Sequence, residues 1–143
     1  MGASPKLDFP VLCYFGSASV RRYETAVELF EVWPSNALLQ SLRQEGWTLV
    51  DSSGVVCFFK DAALSLPRNF LLRLAGIKML SPCDPLERLG DLSEEKRRLV
   101  DAIHSEFGSD LDFEDSVLAG YVRSLHSVTT FSQLVSSFPL RVP

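Results

Sequence analysis

Three cysteines and two histidines carry the reactivity this chain would need for nucleophilic catalysis. A histidine within hydrogen-bond reach of Cys13, Cys57 or Cys83 would draw off the thiol proton and leave a thiolate able to attack an acyl carbon. That arrangement defines a cysteine-dependent hydrolase, one alternative for the chain. Cys57, however, stands between Val56 and Phe58 in a run of strand formers, where a small buried hydrophobe is the ordinary role. No nucleophile elbow surrounds any of the three, and only Cys83, in a segment flanked by Pro82 and Pro85, is expected at the surface. His104 borders an apolar stripe and His126 closes a helical pattern. Neither belongs to an HExxH pair or lies near a CxxC grouping, so a zinc site does not follow. With no GxGxxG and no GxxxxGK[ST], the expectation is a chain that is not an enzyme and holds no cofactor or metal.

The charged residues suggest contact rather than chemistry. Asp110, Asp112, Glu114 and Asp115 are dense enough to attract a cation, but they lack the glycine and the twelfth-position glutamate of an EF-hand loop. They fit the positive end of a helix, where they would also steer a basic protein partner. Trp33 and Pro34, at the end of an element, supply an aromatic anchor, so the expected partner surface joins them to that acidic corner. Lys96, Arg97 and Arg98 form the strongest basic cluster, diluted by Glu94, Glu95 and Asp101. A nucleic-acid-binding module is the alternative if the fold gathers them with Arg21 and Arg22, or with Arg68, Arg73 and Lys78.

The whole chain argues against a general nucleic-acid role, since 143 residues carry a formal net charge of -4. At 46% hydrophobic and 22% charged it has the balance of one compact domain burying roughly two thirds of its unfolded surface. An odd number of widely spaced cysteines implies a reduced compartment, cytoplasmic or nuclear. No run approaches the ~20 apolar residues that span a bilayer, Phe9 to Phe15 is too short for a secretory signal, and Lys6 stands where a myristoylation signal wants Ser or Thr. No membrane is expected as a partner.

The elements that must position these residues are clearest between residues 34 and 60. Ser35 can cap a helix that Gly46 closes, with Leu38, Leu39 and Leu42 on its apolar face. Two strands follow across a turn at Asp51-Ser52-Ser53-Gly54, with Trp47, Leu49, Val55, Cys57 and Phe59 on one sheet face. Upstream, Val11 to Phe15 reads as the first strand, and residues 22–33 fit a strand over Val27 to Trp33 better than the helix that Tyr23, Ala26, Val27 and Phe30 would also allow. From residue 61 the pattern turns helical. One helix starts at Pro67 and carries Phe70, Leu71, Leu74, Ile77 and Met79; a rigid corner follows at residues 81–85. Asp91 or Ser93 then caps a helix with Leu99, Val100, Ile103 and Phe107 inside and Glu94, Glu95, Arg97 and Arg98 outside. A helix capped by Asp112 and a last one through Val128, Phe131, Leu134, Val135 and Phe138 complete the chain.

This order points to an α+β fold spanning residues 1–143 as one domain. A small antiparallel or mixed β-sheet comes from a strand-rich part, residues 9–60, and a C-terminal group of helices from a helix-rich part, residues 61–138, covers it. Locally, Leu66-Pro67-Arg68-Asn69-Phe70-Leu71-Leu72-Arg73-Leu74-Ala75-Gly76-Ile77 resembles the opening of an F-box and departs from it at Ser81-Pro82-Cys83-Asp84-Pro85. The resemblance implies one way in which a helical surface starting at Pro67 could bind a protein. The function expected is therefore that of a noncatalytic protein-protein interaction domain, a regulatory or accessory adaptor. A homodimer through a sheet edge or a helical face is a further form of the same reading.

Overall fold

On either side of the polar turn at residues 51–54, apolar residues recur at every second position, Trp47 and Leu49 before it and Val55, Cys57 and Phe59 after it, so extended backbone places each set on one face of a sheet. The computed structural model, which describes residues 7–16, 19–32, 36–107 and 117–139, places these strands at the centre of the fold. In chain order the elements are β1 (Val11–Phe15), β2 (Val20–Tyr23), α1 (Ala26–Phe30), β3 (Glu31–Val32), α2 (Asn36–Glu45), β4 (Trp47–Asp51) and β5 (Val55–Phe59). There follow β6 (Asp61–Ser65), α3 (Phe70–Leu74), β7 (Lys78–Cys83), β8 (Leu86–Leu89), α4 (Leu92–Phe107), α5 (Val117–Ser124), a 3-10 turn at Leu125–Ser127 and α6 (Phe131–Ser136). The fold is α+β, with antiparallel strands drawn from the N-terminal part and helices α4 to α6 covering them.

The strands form a five-stranded sheet in the order β2-β1-β4-β5-β8 and a three-stranded sheet in the order β3-β7-β6. One ribbon links the two. β5 and β8 pair from Val55 opposite Leu89 to Phe58 opposite Leu86, and β6 and β7 continue in the same register from Asp61 opposite Cys83 to Ser65 opposite Met79. The ribbon therefore keeps its pairing across a bend at Lys60 and Asp84, and Asp84 turns there with a left-handed φ of 48°.

Each face of the larger sheet has its own core. Leu12, Tyr14, Val50 and Val56 pack against Leu99 and Ile103 of α4, Tyr121 of α5 and Leu134 and Val135 of α6. On the reverse face Cys13, Trp47, Leu49, Cys57 and Phe59 pack against Leu29 and Phe30 of α1, Leu42 of α2 and Leu80 of β7. The alternation read from Trp47, Leu49, Cys57 and Phe59 thus matches the second face, and Gly46 closes α2 with φ 80° and its N–H on the Leu42 carbonyl at 2.7 Å.

Four expectations about the elements are corrected. Residues 26–30 are helical because Thr25 accepts from the Glu28 N–H at 3.2 Å while the Glu28 carboxylate reaches back to the Glu24 N–H at 3.1 Å, and of the described residues in the expected strand Glu31 and Val32 alone are extended in a ladder. The strand-rich part runs on to Leu89 rather than ending near residue 60: Asp61-Ala62-Ala63-Leu64-Ser65 has little intrinsic strand preference, but it extends a ladder that β5 has already set. The helix from Pro67 consequently shrinks to Phe70–Leu74, Met79 lies on a strand, and the expected corner at residues 81–85 lies mostly within β7. Pro82 stands opposite Ala62 near the end of β7, beyond the two residues, Lys78 and Met79, that β3 pairs.

Candidate interaction surface

At the far end of the ribbon the chain turns through residues 66–77. Asn69 caps α3 by accepting from the Leu71 N–H at 2.9 Å, and Gly76, with φ 86°, ends it by directing its own N–H to the Arg73 carbonyl at 3.1 Å. Pro67 is buried, but α3 buries none of its five residues: Phe70 is 64% exposed, Leu71 72% and Leu74 68%. Leu64 and Leu66 beside them are exposed as well. Next to α3 lies a groove of about 500 Å³ lined by Leu66, Pro67, Arg68, Asn69, Met79 and Glu31, among others. The Arg73 guanidinium folds back to the Arg68 carbonyl at 3.3 Å, which holds both cations at the same end of the helix. The tip joins an apolar ridge to a basic margin.

A second concavity lies between the large sheet and α4. A cleft of about 670 Å³ is lined by Tyr14, Thr48, Glu94, Arg97, Arg98 and Asp101, and a neighbour of about 320 Å³ shares Thr48 and Arg98 and adds Phe58, Leu86, Glu87 and Arg88. Beneath them Glu95 is fully buried, although it was expected at the surface of α4. Its carboxylate stands 3.3 Å from Arg98 and 3.6 Å from Arg88. Burial raises its pKa, and the two guanidiniums, Arg98 first, oppose that shift. Three arginines and three exposed carboxylates line the joined cleft, so its net charge is close to zero.

The cations of the expected nucleic-acid surface are drawn mostly into contacts within the chain. Arg21 pairs with Glu106 at 2.5 Å, Arg22 with Glu24 at 2.9 Å and with the Ser136 carbonyl, and Lys96 donates to the Val128 carbonyl at 2.6 Å. Arg97 and Arg98 alone of the five meet in one cleft. Trp33, Pro34, Asp110, Asp112, Glu114 and Asp115, the expected partner surface, lie outside the described residues, as do the caps Ser35 and Asp112.

Cys13 and Cys57 lie in the core on the α1 and α2 side of the sheet, whereas His104 and His126 are exposed on the helices of the opposite side. Burial holds the Cys13 thiol well above its usual pKa and pushes Cys57 up to about 11, the reverse of what activates a nucleophile. Cys83 is half-buried on β7. Among the described residues no group of three or more His, Cys, Asp and Glu is placed to hold a metal ion, and no described helix is long and apolar enough to cross a membrane.

β8 is the edge of the larger sheet next to this cleft, with Leu86 and Leu89 exposed. Two-fold antiparallel pairing of that edge with a second copy must place some residue opposite itself, because only then do matching faces coincide. The registers with the most overlap oppose Glu87 to Glu87 or Arg88 to Arg88, a like-charge contact that works against this edge as a dimer seam.

Compared with protein-family models, with curated proteins and with solved structures, the chain shows no match. The Phe70-Leu71-Leu74 ridge was legible in the sequence as the apolar side of a helix, but its exposure was not, because the same pattern ordinarily marks a buried face. Glu95 was missed because nothing in a run of charged residues distinguishes the one that turns inward.

Proposed function

We propose that the chain is a noncatalytic protein-interaction domain that engages its partner with the ribbon tip around α3. The observation that carries this reading is the exposure of Phe70, Leu71 and Leu74 together on a helix that buries no residue of its own. Isolated exposed apolar residues are common on protein surfaces, but a contiguous ridge of large ones is the usual mark of a binding site. The sheet and its two cores act as the scaffold that holds the tip away from α4 to α6. An adaptor or accessory role follows from a surface that offers contact without reactive groups. The three free cysteines support a reducing compartment, cytoplasmic or nuclear.

The test is site-specific photo-crosslinking in cells that express the chain. A benzophenone side chain at Leu71 traps a discrete protein adduct, whereas the same group at the exposed Gln44 of α2 does not. Phe70→Ser together with Leu74→Ser removes the adduct while leaving the circular dichroism and melting temperature in place. A Leu71 probe that traps nothing beyond the Gln44 background would overturn the reading.

A further inference from the structure

The chemistry of the partner follows from charge. Between Asp61 and Asp84 the chain has three cations, Arg68, Arg73 and Lys78, and no carboxylate, although the whole chain carries a net charge of -4. The tip thus bears the opposite sign to the molecule that presents it. Resting on the reading of the tip as an interaction surface, we infer that its partner is an acidic peptide segment carrying large apolar side chains.

Three features select that occupant. Phe70, Leu71 and Leu74 need apolar surface opposite them, and the groove beside α3, floored by Leu66, Pro67 and Met79, has room for a large apolar side chain. Arg68 lines that groove and Arg73 is bonded to the Arg68 carbonyl, so carboxylates flanking the inserted side chain meet two guanidiniums. Glu31 is the one carboxylate among the residues lining the groove, so an acidic segment gains most where it lies towards Arg68 and Arg73 and away from Glu31. Tip-to-tip docking of a second copy brings the same three cations against themselves, which opposes it. A bilayer also supplies negative charge and apolar chains, and vesicle binding is the outcome that separates it from a peptide.

A display library of random 16-residue peptides, panned on the full chain at low ionic strength, tests the inference. The enriched peptides are rich in Asp and Glu around Leu, Phe or Trp. Their affinity falls about tenfold in Arg68→Gln/Arg73→Gln and about thirtyfold or more in Phe70→Ser/Leu74→Ser, and it weakens between low and high salt. Enriched peptides that depend on Phe70 and Leu74 but are not acidic, and ignore the arginine changes, overturn the acidic partner and leave the interaction surface standing. Peptides indifferent to Phe70 and Leu74, or no enrichment at all, overturn both. Phosphatidylserine vesicles retained through Phe70 and Leu74, with no peptide enriched, would assign the tip to a membrane instead.

Discussion

The Arg98 guanidinium stands 3.3 Å from the carboxylate of Glu95, its neighbour three residues earlier on α4, and that carboxylate is wholly excluded from solvent. Arg88 of β8 approaches the same group at 3.6 Å. One buried carboxyl group therefore ties the edge strand of the larger sheet to the helix that covers it. Arg98 also lies 6.0 Å above the Tyr14 ring, extending the link to β1.

Burial raises the Glu95 pKa in the folded state, so the folded chain holds that proton more tightly than the unfolded chain. The contribution of Glu95 to stability is then fullest below its unfolded pKa and declines as pH rises through the folded value. Glu95→Gln removes this dependence. Urea denaturation of both proteins at several pH values is expected to show the wild type gaining on the variant as pH falls through the folded Glu95 pKa towards the unfolded one; a constant difference would contradict it.

Asp51 organises the turn between β4 and β5. One carboxylate oxygen accepts from the Ser53 N–H at 3.0 Å, the Ser53 hydroxyl at 2.9 Å and the Val55 N–H at 2.8 Å, while the other accepts from the Asp8 N–H at 3.0 Å. Asp51→Ala strands these donors and is expected to cost about 2–4 kcal/mol. Asp51→Asn is not a mild change, because its NH₂ group must face either the Asp8 N–H or the turn donors. Denaturation midpoints at unchanged m-value report both effects.

Two glycines respond in opposite senses to alanine. A Cβ at Gly46 would lie 2.6 Å from the Phe58 ring, on a residue with φ 80°, so Gly46→Ala is expected to destabilise by roughly 1–3 kcal/mol. Gly120, within α5, has nothing within 4 Å of that position, and Gly120→Ala should stabilise by about 0.5–1 kcal/mol through helix propensity. Thermal melts of the two variants would separate in opposite directions from the wild type.

The thiols differ in reactivity by position. Cys83 is half-buried, whereas Cys13 and Cys57 are buried with raised pKa values, about 11 for Cys57. Iodoacetamide at pH 8 followed by peptide mass mapping is expected to modify Cys83 first, with Cys13 and Cys57 reacting only as the chain unfolds. Rapid native-state labelling of Cys57 would contradict this order and favour the hydrolase alternative.

Much of the fold was legible from local signals. The Trp47, Leu49, Cys57 and Phe59 alternation, the Gly46 cap, the Asp91 cap on the Ser93 N–H at 2.9 Å and the apolar spacing of Leu134, Val135 and Phe138 act within a few residues, so the sequence by itself determined β4, β5, α2, α4 and α6. Tertiary structure decided the rest. β6 and β8 are strands because an existing ladder offered them partners, Glu95 is buried because Arg88 and Arg98 close over it, and Phe70, Leu71 and Leu74 are exposed because the ribbon carries α3 beyond both cores. Periodicity tells which side of a helix is apolar; whether anything covers that side depends on where distant segments stop.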